Sequence, residues 1–201
     1  VLWSDIEARQ VTPPQSFSTH TALIADLLAL LDLVMDDYGL SLEPNADLYF
    51  LMQGSLVHMP WLTEYLGQMR GFGNGLLVSG VITPESRLKL SVVIDSANQR
   101  AANAQLQAGK ALTFNAGFQA TLSQPLQRAT QASDRAIALA RTGIIDADPP
   151  TLAAPDYFRQ TTEGIDAVFA AMQSATEAID RQLHENVRRD QVTLAVAASA
   201  L

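Results

Sequence analysis

Apolar residues recur along the chain at steps of three and four, the period of an α-helix, and almost nowhere alternate as a half-buried strand requires. Proline and glycine divide this pattern into a few long segments. From Phe17 to Tyr38, the positions Phe17, His20, Ile24, Leu27, Leu31, Val34 and Tyr38 keep heptad spacing. Ser16 or Ser18 can cap this helix, and Gly39 stands where a left-handed terminator belongs. A second helix, capped by Asn45, runs from Ala46 to about Gly80 through Leu48, Met52, Met59, Leu62, Leu66, Met69 and Leu76, with Pro60 as a kink. Its glycines at 67, 71, 73 and 75 either break it at the Asn74-Gly75 turn signal or line a face that a neighbour approaches closely; their spacing favours continuity.

Thr83-Pro84-Glu85 is a helix start, with a capping hydroxyl, a proline at the first position and an acid in the first turn. The helix it opens extends to about Leu112 through Leu88, Val92 and Leu106. The next begins at Phe114 or Phe118 and reaches Ile144 across Pro125. Three prolines between Asp146 and Pro155 mark a loop. The last helix starts near Pro155 and sets Phe158, Ile165, Met172 and Ile179 seven apart, with Phe169, Thr176 and Leu183 at the other seam position. The opening Val1 to Val11 is amphipathic, stops at Thr12-Pro13-Pro14, and makes residues 1–15 the tail of a preceding helix or a linker. The expected fold is therefore all-α: an elongated antiparallel bundle of about five long helices over residues 16–191. Helices of about 30 residues span roughly 45 Å, so the object is a rod.

Composition narrows the function. A chain of 201 residues that is 48% apolar can bury a core. Its 13 Lys plus Arg against 21 Asp plus Glu give a net charge of −8, which removes the basic footprint of nucleic-acid binders and of polybasic membrane-surface proteins. No cysteine is present, so disulfides, thiol nucleophiles and thiolate metal sites are excluded. His20, His58 and His184 are dispersed, and Asp26, Asp32, Asp36 and Asp37 lack the accompanying Glu-x-x-His of di-iron bundles. These observations disfavour a small bundle enzyme and imply no cofactor and no metal. No run of 18 apolar residues forms a complete membrane span. Residues 192–201 carry no charge and read either as the first half of a span or as final turns packed on the core.

One cation stands out. Arg70 is the single charge between Glu64 and Glu85, and the glycines beside it admit a close neighbour or a ligand. A buried guanidinium needs an anion. If a small carboxylate or a nitrate-like anion binds, Arg70 is its anchor, with Asn74 one turn further on the same face and Tyr49 or Tyr65 lining the pocket. The competing assignment pairs Arg70 with an acid on a neighbouring helix or leaves it as a helix-end surface charge.

The order Ser16-Phe17, His20-Thr21, Tyr38-Gly39-Leu40-Ser41-Leu42-Glu43-Pro44, Tyr49-Phe50-Leu51-Met52, Met59-Pro60 and Gly67-Gln68-Met69-Arg70-Gly71-Phe72-Gly73 resembles the extracytoplasmic sensor regions of bacterial methyl-accepting chemotaxis proteins and related sensor kinases and cyclases. Pro155-Asp156-Tyr157-Phe158 with Thr161 or Thr162 and Ile165-Asp166 resembles the start of their last helix. Glu43 stands where the family more usually has Asp. The resemblance implies a periplasmic ligand-sensing domain of an inner-membrane receptor, with a further helix and a membrane span before residue 1 and a second span after the last helix. It also implies a small-molecule ligand or a periplasmic binding protein as partner, and a homodimer. A ligand-free helical dimerisation module is the other expectation. Helix parity points the same way, since five alternating helices leave the two chain ends at opposite ends of the rod.

Overall fold

Thr12 accepts a hydrogen bond from the Gln15 amide while the Gln15 side chain accepts one from the Thr12 N–H, a reciprocal capping box. Pro13 and Pro14 then occupy the first positions of helix α1, Pro13–Asp37, where a missing N–H costs nothing. The cap is thus Thr12, one turn before the serines that the spacing offered, because paired prolines begin a helix as readily as they end one. The computed structural model describes residues 11–199, so the expected amphipathic tail over Val1–Val11 lies almost wholly outside the described residues.

Gly39 ends α1 at φ +70°, and a single 3-10 turn, Leu40–Leu42, leads into the next helix. Helix α2 is continuous over 46–79. It comprises Ala46–Met52, a π-helical stretch Gln53–His58 and Met59–Ser79, and Gly80 terminates it at φ +65°. The ladder loosens to π spacing immediately before Pro60, which has no N–H to offer it. The glycine run stays helical. Asn45 occupies the cap position of α2, yet its side-chain amide donates to Glu43 and closes no cap. Thr83 and Ser86 form the capping box of α3, Pro84–Phe114. Asn115 caps α4, which runs Ala116–Ala140 and ends in a second π stretch, Arg141–Ile145, passing through Pro125. Helix α5, Ala154–Ser199, has 46 residues and a length of about 69 Å.

Helices α2 to α5 form an antiparallel four-helix bundle in which α2 packs on α3 and α5, and α4 on α3 and α5. Helix α1 rests on α2 from outside. The five-helix, all-α expectation holds among the described residues, with this division of labour added. The core is rich in alanine, including Ala97, Ala104, Ala108, Ala129, Ala136, Ala171 and Ala175, so the backbones approach closely around Leu48, Leu51, Leu66, Met69 and Ile94.

The predicted stripe of α3 faces the wrong way, and that of α5 faces inward only in part. Leu88, Val92 and Leu106 of α3 are exposed, while Leu90, Ile94 and Ala97 face inward. On α5, Ile165 and Ile179 are buried, but Phe158 and Phe169 are exposed and Tyr157, Val168 and Ala171 take the interior. Residues 187–199 of α5 project beyond the bundle and are exposed. Helix α1 also remains largely uncovered. It is the one described helix long and apolar enough to cross a membrane, with an 18-residue stretch of mean hydropathy 1.5 and none of that stretch buried.

Candidate functional site

Arg70 lies on α2 opposite the first two turns of α5. Its Nη1 donates to Thr162 Oγ1 at 2.9 Å, and its guanidinium carbon stands 4.8 Å from the centroid of the Phe158 ring. Thr162 donates its own proton to the Phe158 carbonyl at 2.8 Å, which leaves a lone pair of the hydroxyl oxygen for Arg70. Among the described residues no carboxylate pairs with this guanidinium. A half-buried cation in an acid-rich chain is therefore held by two neutral groups, both from α5.

The neighbouring contact fixes where α5 starts. Tyr157 is fully buried and its hydroxyl donates to the Met69 carbonyl at 2.6 Å. It fits because residue 73 is glycine: a Cβ there would lie 2.5 Å from the Tyr157 oxygen. Burial pushes the phenol well above its ordinary pKa, so it remains a donor throughout the accessible pH range. Tyr157, Phe158 and Thr162 thus bind one turn of α2, residues 69–73, from a single short segment of α5.

The four residues expected to share a pocket are spread out. Asn74 is half-buried, one turn beyond Arg70 and about 40° round the helix from it. Tyr65 precedes Arg70 by five positions, about 140° round the helix, and stacks on Trp61 at 5.9 Å. Tyr49 lies in the first turns of α2, some 30 Å from Arg70 along the axis, edge-on to Phe50 at 5.3 Å. Arg70 and Asn74 are brought together; Tyr49 and Tyr65 belong to other surroundings. The side chains that contact Arg70 are instead Thr162 and Phe158. Their four-residue spacing at the start of the last helix is a local signal, but nothing local pairs that face with Arg70.

Among the described residues, a second cation is also held without an acid. Arg100 of α3 sits 5.5 Å from the Trp61 ring centroid and 3.4 Å from His58 Nδ1. Burial, and then the charge of Arg100, hold the His58 pKa below its ordinary value, so the ring is neutral at pH 7 and its nitrogen can accept. His20 lies on the α1 surface that meets α2, where Nδ1 is 2.7 Å from the Ser16 carbonyl.

The described residues form a slender helical bundle that presents a cation to its one long last helix and keeps few titratable groups in its core. The chain belongs to the NIT family, described as nitrate and nitrite sensing, whose model matches residues 4–184. No curated protein and no solved structure matches the chain. Membership makes it an extracytoplasmic helical sensor domain of bacterial signalling proteins, broader than the chemotaxis receptors that the motifs resemble.

Proposed function

We propose that Arg70 is the anchor for nitrate or nitrite, within the periplasmic portion of a transmembrane receptor of the methyl-accepting chemotaxis type. One observation carries the reading: Arg70 is charged, half-buried and partnered only by a hydroxyl and an aromatic face among the described residues. A planar oxyanion matches the planar guanidinium through two parallel hydrogen bonds, a stronger interaction than the neutral one it replaces. Asn74, on the same face, supplies a further donor. The anion competes for the guanidinium donors that Thr162 now occupies, so binding acts directly on the first turns of α5. That helix is unbroken from Ala154 to Ser199 and carries the displacement out of the bundle.

A homodimer is part of this reading. Helix α1 turns one stripe, Ile24, Leu28, Leu31 and Met35, toward α2 and leaves a second, Leu23, Leu27, Leu30 and Val34, on the surface at heptad spacing. A second α1 would cover it.

Calorimetric titration with nitrate and nitrite tests the anchor. The wild-type chain binds, and Arg70→Ala loses binding while its unliganded stability falls by no more than about 2–4 kcal/mol, the sum of one charged hydrogen bond and one exposed cation–π contact. Unchanged nitrate affinity in Arg70→Ala sinks the reading.

A further inference from the structure

Between α3 and α4 the bundle does not close. A groove of about 430 Å³ opens there, within the size range of small-molecule sites. Met59 and Leu62 of α2 and Val168 of α5 form its floor. Its sides are kept thin by Ala104, Ala108 and Gly109 on one helix and Ala129 on the other, too short to fill the space between the axes. Gln105, Gln127, Thr130 and Gln131 stand round it, and buried Ser133, whose proton goes to the Thr130 carbonyl, retains acceptor capacity at the base.

Among the described residues, no charged side chain lines this groove. A nitrate-sized anion would find neither a cation there nor a snug fit, since the volume is many times the roughly 30 Å³ of a water. An ion of either sign would be desolvated without a partner. The rim instead offers three carboxamides, each with two N–H donors and a carbonyl acceptor, above an apolar floor.

We propose that the α3–α4 groove is a second ligand site, taking an uncharged, mainly apolar molecule that carries a hydroxyl, carbonyl or amide group. The apolar body covers Met59, Leu62 and Val168, and the polar group meets the carboxamide rim. The site is independent of the anion anchor: Arg70 lies eight to eleven residues beyond the floor residues of α2, about 12–16 Å along the axis. It would let one bundle respond to two chemically unlike molecules.

N-phenyl-1-naphthylamine, a neutral aromatic amine that fluoresces when shielded from water, is the probe. Titrated into the 201-residue chain, it should saturate at one per chain and resist displacement by nitrate. Position 109 lines the groove, and a Cβ built there meets nothing within 4 Å, so Gly109→Leu introduces an apolar side chain at the groove with open space at its Cβ, and it favours the helix. That variant should bind the dye at least tenfold more weakly with its melting temperature retained, and Gln127→Trp, filling from the facing helix, should do the same. Unsaturable binding, or equal affinity in wild type and both variants, overturns the proposal and places the dye elsewhere on the exposed apolar surface. So does binding that disappears as the chain associates at high concentration, which makes the groove a subunit contact. Nitrate titration of the same variants keeps the two sites apart: a failure of the Arg70 reading appears there and leaves the dye result standing.

Discussion

Glu64 and Arg70 lie six residues apart on α2 and meet opposite electrostatic conditions. Arg70 stands at a half-open edge, whereas Glu64 is only 7% exposed under α1. Burial raises the Glu64 carboxyl above its ordinary pKa, and hydrogen bonds from Gln68 and Thr21 offset only part of that. The folded chain therefore holds this proton at pH values where the unfolded chain has released it. Folding takes up a proton in that window, so the penalty for burying Glu64 is greatest at neutral pH and fades as pH falls toward the unfolded value of about 4.3. Glu64→Gln should melt at a higher temperature than wild type at pH 7, with the two curves converging near pH 4. Thermal melts across that range check it; a constant offset would mean that the effect is packing and not charge.

At the scale of elements, the contact between α2 and α5 depends on the absence of one methyl group. Gly73→Ala would put a Cβ 2.8 Å from two carbons of the Tyr157 ring as well as 2.5 Å from its hydroxyl. Tyr157 is fully buried and tied to Met69, so it has no room to retreat. Overpacking of this kind costs about 1–3 kcal/mol, which for a chain of this size lowers the melting temperature by roughly 2–4 °C per kcal/mol. Gly75→Ala is the control, because nothing lies within 4 Å of its Cβ and alanine favours the helix; it should leave the melting temperature unchanged or higher. Calorimetric melts of the two variants separate close approach from any general need for glycine in this run.

For the whole molecule, the uncovered surface of α1 is a departure from a self-sufficient bundle. Leu27 and Leu30 are 55% and 54% exposed, so replacing both by Glu should leave the fold of the single chain intact. If this stripe joins two copies, sedimentation of the wild-type chain at high concentration should show a dimer, and Leu27→Glu with Leu30→Glu should abolish it at an unchanged helical signal. A wild-type chain that stays monomeric throughout defeats the dimer.

The helix ends were legible in the sequence because capping is local. Thr83-Pro84, Gly39 and Gly80 act through their own φ angles and hydrogen bonds to residues a few positions away, and each does so in the structure. Thr12 obeys the same chemistry, but two prolines read alike as an end or a beginning. Orientation was less accessible. Periodicity defines a stripe, and α3 carries two, Leu88, Val92 and Leu106 beside Leu90, Ile94 and Ala97; which one turns inward is decided by the helices that arrive, and here the alanine-rich stripe wins because it allows closer packing. At the candidate site, Arg70 stands out in the sequence by its isolation among uncharged residues, but nothing local pairs it with Thr162, 92 positions away. Only the tertiary fold could bring α5 against that turn of α2, leave the guanidinium with neutral company, and open a groove where facing alanines are too small to meet.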